Sequence, residues 1–192
     1  MAKLIRAGTV GGVPVGIHWT VFAGCALLIL VSLPRVAAPI CAILAYFAAV
    51  VLHEWGHVFA ALRYRCNVYR IELYPFMGAT QHSQPYSRRE HGAIAWAGVA
   101  AQAVAAIPLL LALAIFGYTP WAPANAFLGT FVWLSVAMIV FNLLPIPPLD
   151  GALAWRLLPP AFGLPKWLRF RRPKKRRGWN ALAGRGPTRR SS

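Results

Sequence analysis

Carboxylates are nearly absent from this chain: 192 residues include four, Glu54, Glu72, Glu90 and Asp150, against 20 Lys and Arg. Charged residues make up 12% of the sequence and hydrophobic ones 58%. A water-soluble enzyme of this length needs far more charged surface, so the composition excludes that class and indicates a polytopic membrane protein. Cysteine is also scarce. Cys25, Cys41 and Cys66 are odd in number and match no zinc-ribbon spacing. They read as small buried residues, which excludes a disulfide framework.

Long apolar runs are what the chain does have. Four are long enough to cross a hydrocarbon core of about 30 Å: Pro14 to Leu33, Val36 to Leu62, Gly92 to Phe116 and Ala126 to Leu144. The first, preceded by Lys3 and Arg6 and containing Phe22-Ala23-Gly24-Cys25, has a cleaved signal or lipoprotein leader as its alternative. Its apolar character continues well past Cys25, and Gly11, Gly12, Pro14 and Gly16 break the region before it, so it is read as a span. Lys and Arg in short loops mark the cytoplasmic side. With four spans, one side receives Lys3, Arg6, Arg63, Arg65, Arg70, Arg88, Arg89 and the C-terminal tail, and the other only Arg35. Both termini are expected to be cytoplasmic, in a plasma membrane of bacterial type.

The second run contains His53-Glu54-Trp55-Gly56-His57, an H-E-x-x-H sequence. Imidazoles at i and i+4 share a helical face and can reach one Zn²⁺, with the intervening Glu placed to accept a proton from water. Ionisable groups at membrane depth are costly and usually functional. A catalytic zinc takes three protein ligands, and the candidates for the third are His18, His82, His91 and Asp150. Depth favours Asp150. His53 lies 17 residues beyond Val36, about 26 Å along a helix, and a fourth helix from Ala126 to Leu144 rises about 27 Å to a similar level. Pro145, Pro147, Pro148 and Gly151 then place the carboxylate on irregular backbone, which membranes tolerate only where protein or water surrounds it. His18 reads as a helix-start residue, and His82 and His91 as water-facing loop residues.

H-E-x-x-H on one span, followed by Asn142-Leu143-Leu144-Pro145-Ile146-Pro147-Pro148-Leu149-Asp150-Gly151 at the end of a later one, resembles the site-2 protease family of intramembrane zinc metalloproteases. The resemblance covers roughly Gly11 to Leu158. It implies zinc on His53, His57 and Asp150, Glu54 as catalytic base, and Asn142 holding the substrate carbonyl or developing oxyanion. It also implies a substrate: the transmembrane segment of another membrane protein, such as a tethered regulator already trimmed on the far side. Val13 to Trp19 is similar to the family's lead-in to its first span. Ala97-Gly98 with Gln102 resembles a segment that usually reads A-G-P with a later Asn; Val99 and Gln102 depart from it, which argues against an active-site role for Gln102, though its amide can still donate a hydrogen bond. No PDZ-like or cystathionine-synthase-like segment is legible.

Between the second and third runs, Val68 to Tyr74 alternates with period two, and Pro75 and Gly78 punctuate a turn before a second short strand near Ala79 to His82. Such a hairpin beside the zinc is either an ordinary structural element or an edge for an unwound substrate strand, with Ile71, Leu73 and Thr80 as the substrate-strand candidates. Ser87 to Glu90 has the form of a capping box. Ala93, Ala97, Ala101 and Ala105, with Gly98, form a small-residue row read as the packed face of the third span.

Composition changes at Pro165: 11 of the 20 Lys and Arg fall within 166–192, with no acid among them. Two parts follow, an intramembrane metalloprotease domain, 1–165, and a basic tail, 166–192, expected to be disordered and cytoplasmic. Lys166-Trp167-Leu168-Arg169-Phe170 suits anionic lipid headgroups or a topology anchor better than nucleic acid. The expected fold class is therefore an all-α polytopic membrane protein with four spans, a small cytoplasmic-side hairpin and a basic tail. The expected function is zinc-dependent peptide hydrolysis in or near transmembrane segments, regulatory or in processing of signal-type peptides. The alternative is a catalytically inactive membrane scaffold whose tail binds lipid or a partner.

Overall fold

A computed structural model of the protein describes residues 4–75 and 77–157. The basic tail lies outside the described residues. Within them the chain order is β1 (Leu4–Val10), β2 (Val13–His18), α1 (Trp19–Val31), α2 (Ala37–Arg63), β3 (Val68–Tyr74), β4 (Met77–His82), α3 (Arg88–Phe116), α4 (Ala122–Asn142) and the short α5 (Gly151–Ala154), which runs into a 3-10 turn at Trp155–Leu157.

Two expectations change. The fold is not all-α, because the hairpin β3–β4 belongs to a four-stranded sheet of order β1-β2-β3-β4 in which β2 and β3 run parallel. And the first run does not form one helix from Pro14 to Leu33. Its opening residues are strand β2, whose Val13, Val15 and Ile17 turn into the core while Pro14, Gly16 and His18 alternate outward. What remains, α1, has 13 residues, about 20 Å of helix. Among the described residues, three helices, α2, α3 and α4, are long and apolar enough to cross a membrane.

The sheet lies against α2. Val13, Val15, Ile17, Ile71 and Leu73 pack with Val50 and Val58 of α2 and Val21 of α1 in one core. The Tyr46 hydroxyl on α2 reaches the carbonyls of Tyr74 and Pro75, at 3.0 and 3.1 Å, and pins the β3–β4 turn to the helix. The β1–β2 turn carries Gly11 at φ +56°, and its missing Cβ is the space occupied by the Trp55 ring of the motif helix. A second core joins α2, α3 and α4 through Ala45, Ala49, Ala106, Phe131 and Val132.

On α3 the buried face is Ile94, Ala95, Gly98, Val99, Gln102 and Ala106, one residue round from the alanine row. Ala93, Ala97, Ala101 and Ala105 are only half-buried. Close approach occurs where Gly56 of α2 meets α3: a Cβ there would stand 2.8 Å from Gly98 Cα, a contact no side chain permits.

The scarce acids all have partners. Ser87 and Glu90 form the capping box of α3, with Ser87 N–H donating to Glu90 at 3.1 Å. Glu72, buried in the sheet, is paired with Arg70 at 2.7 Å and accepts from the Tyr74 hydroxyl at 3.0 Å, which meets the cost of burying its charge. The other two, Glu54 and Asp150, meet at one site.

Candidate metal centre

His53, Glu54 and His57 lie in the last three turns of α2, all of them buried. Asp150 comes from the turn after α4. That turn is held from behind by two indoles: Trp155 N–H donates to the Leu143 carbonyl, and Trp96 N–H of α3 to the Ala154 carbonyl at 3.0 Å. Gly151 fits directly against the Leu143 and Leu144 backbone, where a Cβ has no room.

These supports bring three ligand atoms together. Asp150 Oδ2 is 3.0 Å from His53 Nε2 and 3.1 Å from His57 Nε2, and the two Nε2 atoms are 3.2 Å apart. Ligands about 2.0 Å from a tetrahedral zinc stand about 3.3 Å from one another. The triangle therefore has the size of one face of a zinc tetrahedron, and the two-imidazole, one-carboxylate donor set suits that ion. Each imidazole is also fixed through its far nitrogen. His57 Nδ1–H donates to the Ile94 carbonyl at 2.8 Å, and His53 Nδ1–H to Gln102 Oε1 at 3.1 Å. Both hydrogen bonds select the tautomer whose Nε2 lone pair faces Asp150, the usual support for a metal-binding histidine.

Gln102 is the residue that sequence reasoning undervalued. It is fully buried, accepts from His53, and directs its amide N–H groups to the Ala49 carbonyl at 3.4 Å and Ser135 Oγ at 3.3 Å. It thus acts toward His53 as an acceptor, not only as a donor, and it ties α2, α3 and α4 together at the site. The signal was its place one turn past Gly98, whose missing Cβ leaves room for the His57 and His53 rings.

Glu54 sits beside the triangle. Thr80 Oγ1 of β4 donates to Glu54 Oε2 at 2.6 Å, and Gly78 leaves the space its carboxylate fills. A cavity of about 550 Å³ opens on Glu54, His53, His57 and Asp150. Asn142, the last residue of α4, lines it, as do Thr80, His82 and His91. His82, at the end of β4, and His91, in the first turn of α3, are therefore not loop residues and line this cavity. His18 is elsewhere: its Nδ1 meets Thr20 at the start of α1, and its ring stacks on Tyr74.

The substrate-strand candidates divide. Ile71 and Leu73 are core residues of β3, which is paired on one side with β2 and on the other with β4, so β3 has no edge to offer. Thr80 lies on β4, an outer strand of the sheet.

The arrangement defines a helical membrane domain built around a candidate metal centre, with a buried carboxylate beside it. No family model matches the chain. It is similar to the provisionally named zinc metalloprotease sll0528 of Synechocystis sp., 37% identical over 108 residues, 55% of this chain and 27% of that protein. It is also similar to the provisionally named zinc metalloprotease Rip3 of Mycobacterium tuberculosis, 30% identical over 156 residues, 78% of this chain and 35% of that protein. The chain thus spans about a quarter to a third of the length of these curated relatives. Among solved structures it resembles the site-2 protease from Methanocaldococcus jannaschii, with a TM-score of 0.62 and 26% identity over 80% of this chain and 70% of that one. These likenesses, in sequence and in fold, support the site-2 protease family for this chain.

Proposed function

We propose that the protein is a zinc-dependent intramembrane endopeptidase that hydrolyses peptide bonds in or near transmembrane segments of other membrane proteins. One observation carries the reading: three ligand atoms at 3.0–3.2 Å in a triangle of zinc dimensions, sharing a cavity with a buried carboxylate that is not part of the triangle. His53, His57 and Asp150 would hold the ion, which when bound would supply Lewis acidity toward water and toward the scissile carbonyl. Glu54, aligned by the Thr80 hydroxyl, takes the proton from the attacking water and passes it to the leaving amine. Asn142 offers its amide to the carbonyl oxygen of the bond being cut. An inactive scaffold has no use for a carboxylate buried and hydrogen-bonded beside such a triangle. The test is a proteomic comparison of membranes carrying wild-type or Glu54→Gln protein: truncated membrane stubs accumulate in the variant, and identical stub populations would argue against the reading.

Gln102 sets the affinity of the centre. Gln102→Leu is expected to weaken zinc binding by about tenfold to a hundredfold, the usual effect of losing an outer partner of a ligating histidine. Competition with a chelator measures it.

An unwound substrate needs partners for its freed backbone groups, and an open strand supplies them. β4 is that strand. Because successive N–H groups along a strand point to opposite sides, Ala79→Pro and Thr80→Pro differ: one removes a donor to β3, the other a donor to the open edge. The edge variant is expected to keep zinc and lose cleavage of a membrane substrate, with less effect on a short extended peptide; Thr80→Ala controls for the lost hydroxyl. Normal cleavage by both proline variants would remove β4 from substrate binding.

Orientation follows from connectivity. Parallel pairing of β2 with β3 sets the start of β2 beside the end of α2 and the start of α1 at the Tyr74 end, near Tyr46, so α1 leads away from the side where α2 ends, α3 starts and α4 ends. The Arg-rich segments fall there, which makes it the cytoplasmic side, with α1 reaching toward the other. Reporters near Arg88 and after Ser192 are expected to read cytoplasmic and one at Pro120 the reverse.

A further inference from the structure

The cavity has two unlike ends. Toward α4 its wall is apolar, with Leu134, Met138 and Phe141. Toward the start of α3 it ends on two half-buried imidazoles, His82 at the end of β4 and His91 in the first turn of α3, with ring centroids 6.4 Å apart. A smaller cavity of about 160 Å³ shares His91 and Leu153 with the first and extends it past Ser87 and Arg88. Glu54 and Asp150 are the carboxylates among the described residues that line either cavity, and the metal centre uses both.

Strand geometry sets the register. Gly78 and Thr80 both face Glu54, so His82 is the next residue on the same face of β4, about 6.7 Å beyond Thr80. A substrate strand lying along β4 would present to His82 the side chain two residues from the one opposite Thr80. His82 Nδ1–H already donates to the Ser83 carbonyl at 2.8 Å, which leaves Nε2 for a further partner. Around the pair, Arg70 is engaged with Glu72 and Gln81, Glu90 is held in the α3 cap, and Arg88 lines the smaller cavity. The apolar end suits the part of a substrate still in the bilayer, and the imidazole end the part that has left it.

We infer that His82 and His91 form a subsite for a substrate carboxylate, Asp or Glu, on the water-side flank of the scissile bond and two residues along the strand from the residue opposite Thr80. This rests on the proteolytic reading and adds a specificity to it. A carboxylate holds neighbouring imidazoles in their charged, doubly donating form and gains charge-assisted hydrogen bonds from them. Lys and Arg, which predominate where membrane segments meet the cytoplasm, bring no acceptor for imidazole N–H groups. The subsite therefore favours an acidic flank over the basic one most membrane proteins carry.

The test uses the full-length zinc-loaded protein in detergent and a set of synthetic transmembrane-segment peptides. In the set, Asp, Asn or Lys is placed singly at each of several successive positions in the water-side flank. At one position Asp is expected to exceed Asn by about tenfold in kcat/KM, with Lys below both. His82→Gln and His91→Gln flatten the ranking, and His82→Glu reverses it in favour of Lys. Fluorescence anisotropy of the same labelled peptides on Glu54→Gln protein gives the same ranking without turnover. Equal kcat/KM and equal binding for Asp, Asn and Lys at every position would overturn the subsite and leave the protease reading standing. An intact Asp ranking in binding with no cleavage by the wild type would overturn the protease reading and not the subsite.

Discussion

Glu54→Gln is expected to keep the fold and the zinc yet lose cleavage by about a hundredfold to ten-thousandfold, the usual contribution of a positioned proton acceptor. The substitution is nearly isosteric. A glutamine carbonyl still accepts from Thr80 Oγ1, so the contact at 2.6 Å survives, and Gly78 still provides the space. What is lost is the ability to take a proton from water. Replacing a buried carboxylate by a neutral amide also relieves desolvation, so melting temperature should stay level or rise. Turnover measured beside zinc content separates a chemical defect from a structural one, and substantial residual proteolysis in the variant would remove Glu54 from the role of base.

Asp150→Ala has the other large effect, and on a different quantity. It removes the one proposed ligand that comes from outside α2 and leaves two imidazoles at 3.2 Å with no anionic partner. Zinc affinity is expected to fall by more than about a hundredfold, since even outer partners of ligands are worth tenfold to a hundredfold. His18→Ala, His82→Ala and His91→Ala should leave it unchanged: the first lies at the start of α1, and the other two line the cavity outside the triangle. Metal analysis after dialysis distinguishes these variants. Retention of zinc by Asp150→Ala together with its loss from one of the histidine variants would mean that the third ligand is misassigned.

The parts of the centre that local spacing specifies are legible in the sequence alone. Two histidines one turn apart fall on one helical face whatever the tertiary fold, and counting the helical rise brings Asp150 to their depth. The β3–β4 hairpin is equally legible, because its alternation and its turn residues are local. The rest depends on contacts distant in sequence. Val13, Val15 and Ile17 do alternate, but the strand is short and runs straight into the apolar residues of α1, so hydropathy merges the two. Its parallel pairing with β3, more than fifty residues on, leaves no local mark. That pairing is what encloses Ile71 and Leu73 and leaves Thr80 on an outer strand. On α3 the alanine row and the buried face differ by one residue, a rotation of about 100°, and small residues on both faces leave the choice to the neighbouring helices. Gln102 reads as a departure from a family pattern, and only its burial against His53 shows its amide in use.

One ion, held by His53, His57 and Asp150, is proposed to make this membrane domain a peptidase. The most direct measurement follows cleavage of a transmembrane substrate in proteoliposomes as zinc is stripped by a chelator and returned in stoichiometric amount, with the cut mapped by mass spectrometry. Cleavage in or beside the transmembrane segment that disappears with the metal and returns with one equivalent of zinc is the predicted result; cleavage undiminished in the zinc-free protein would contradict it.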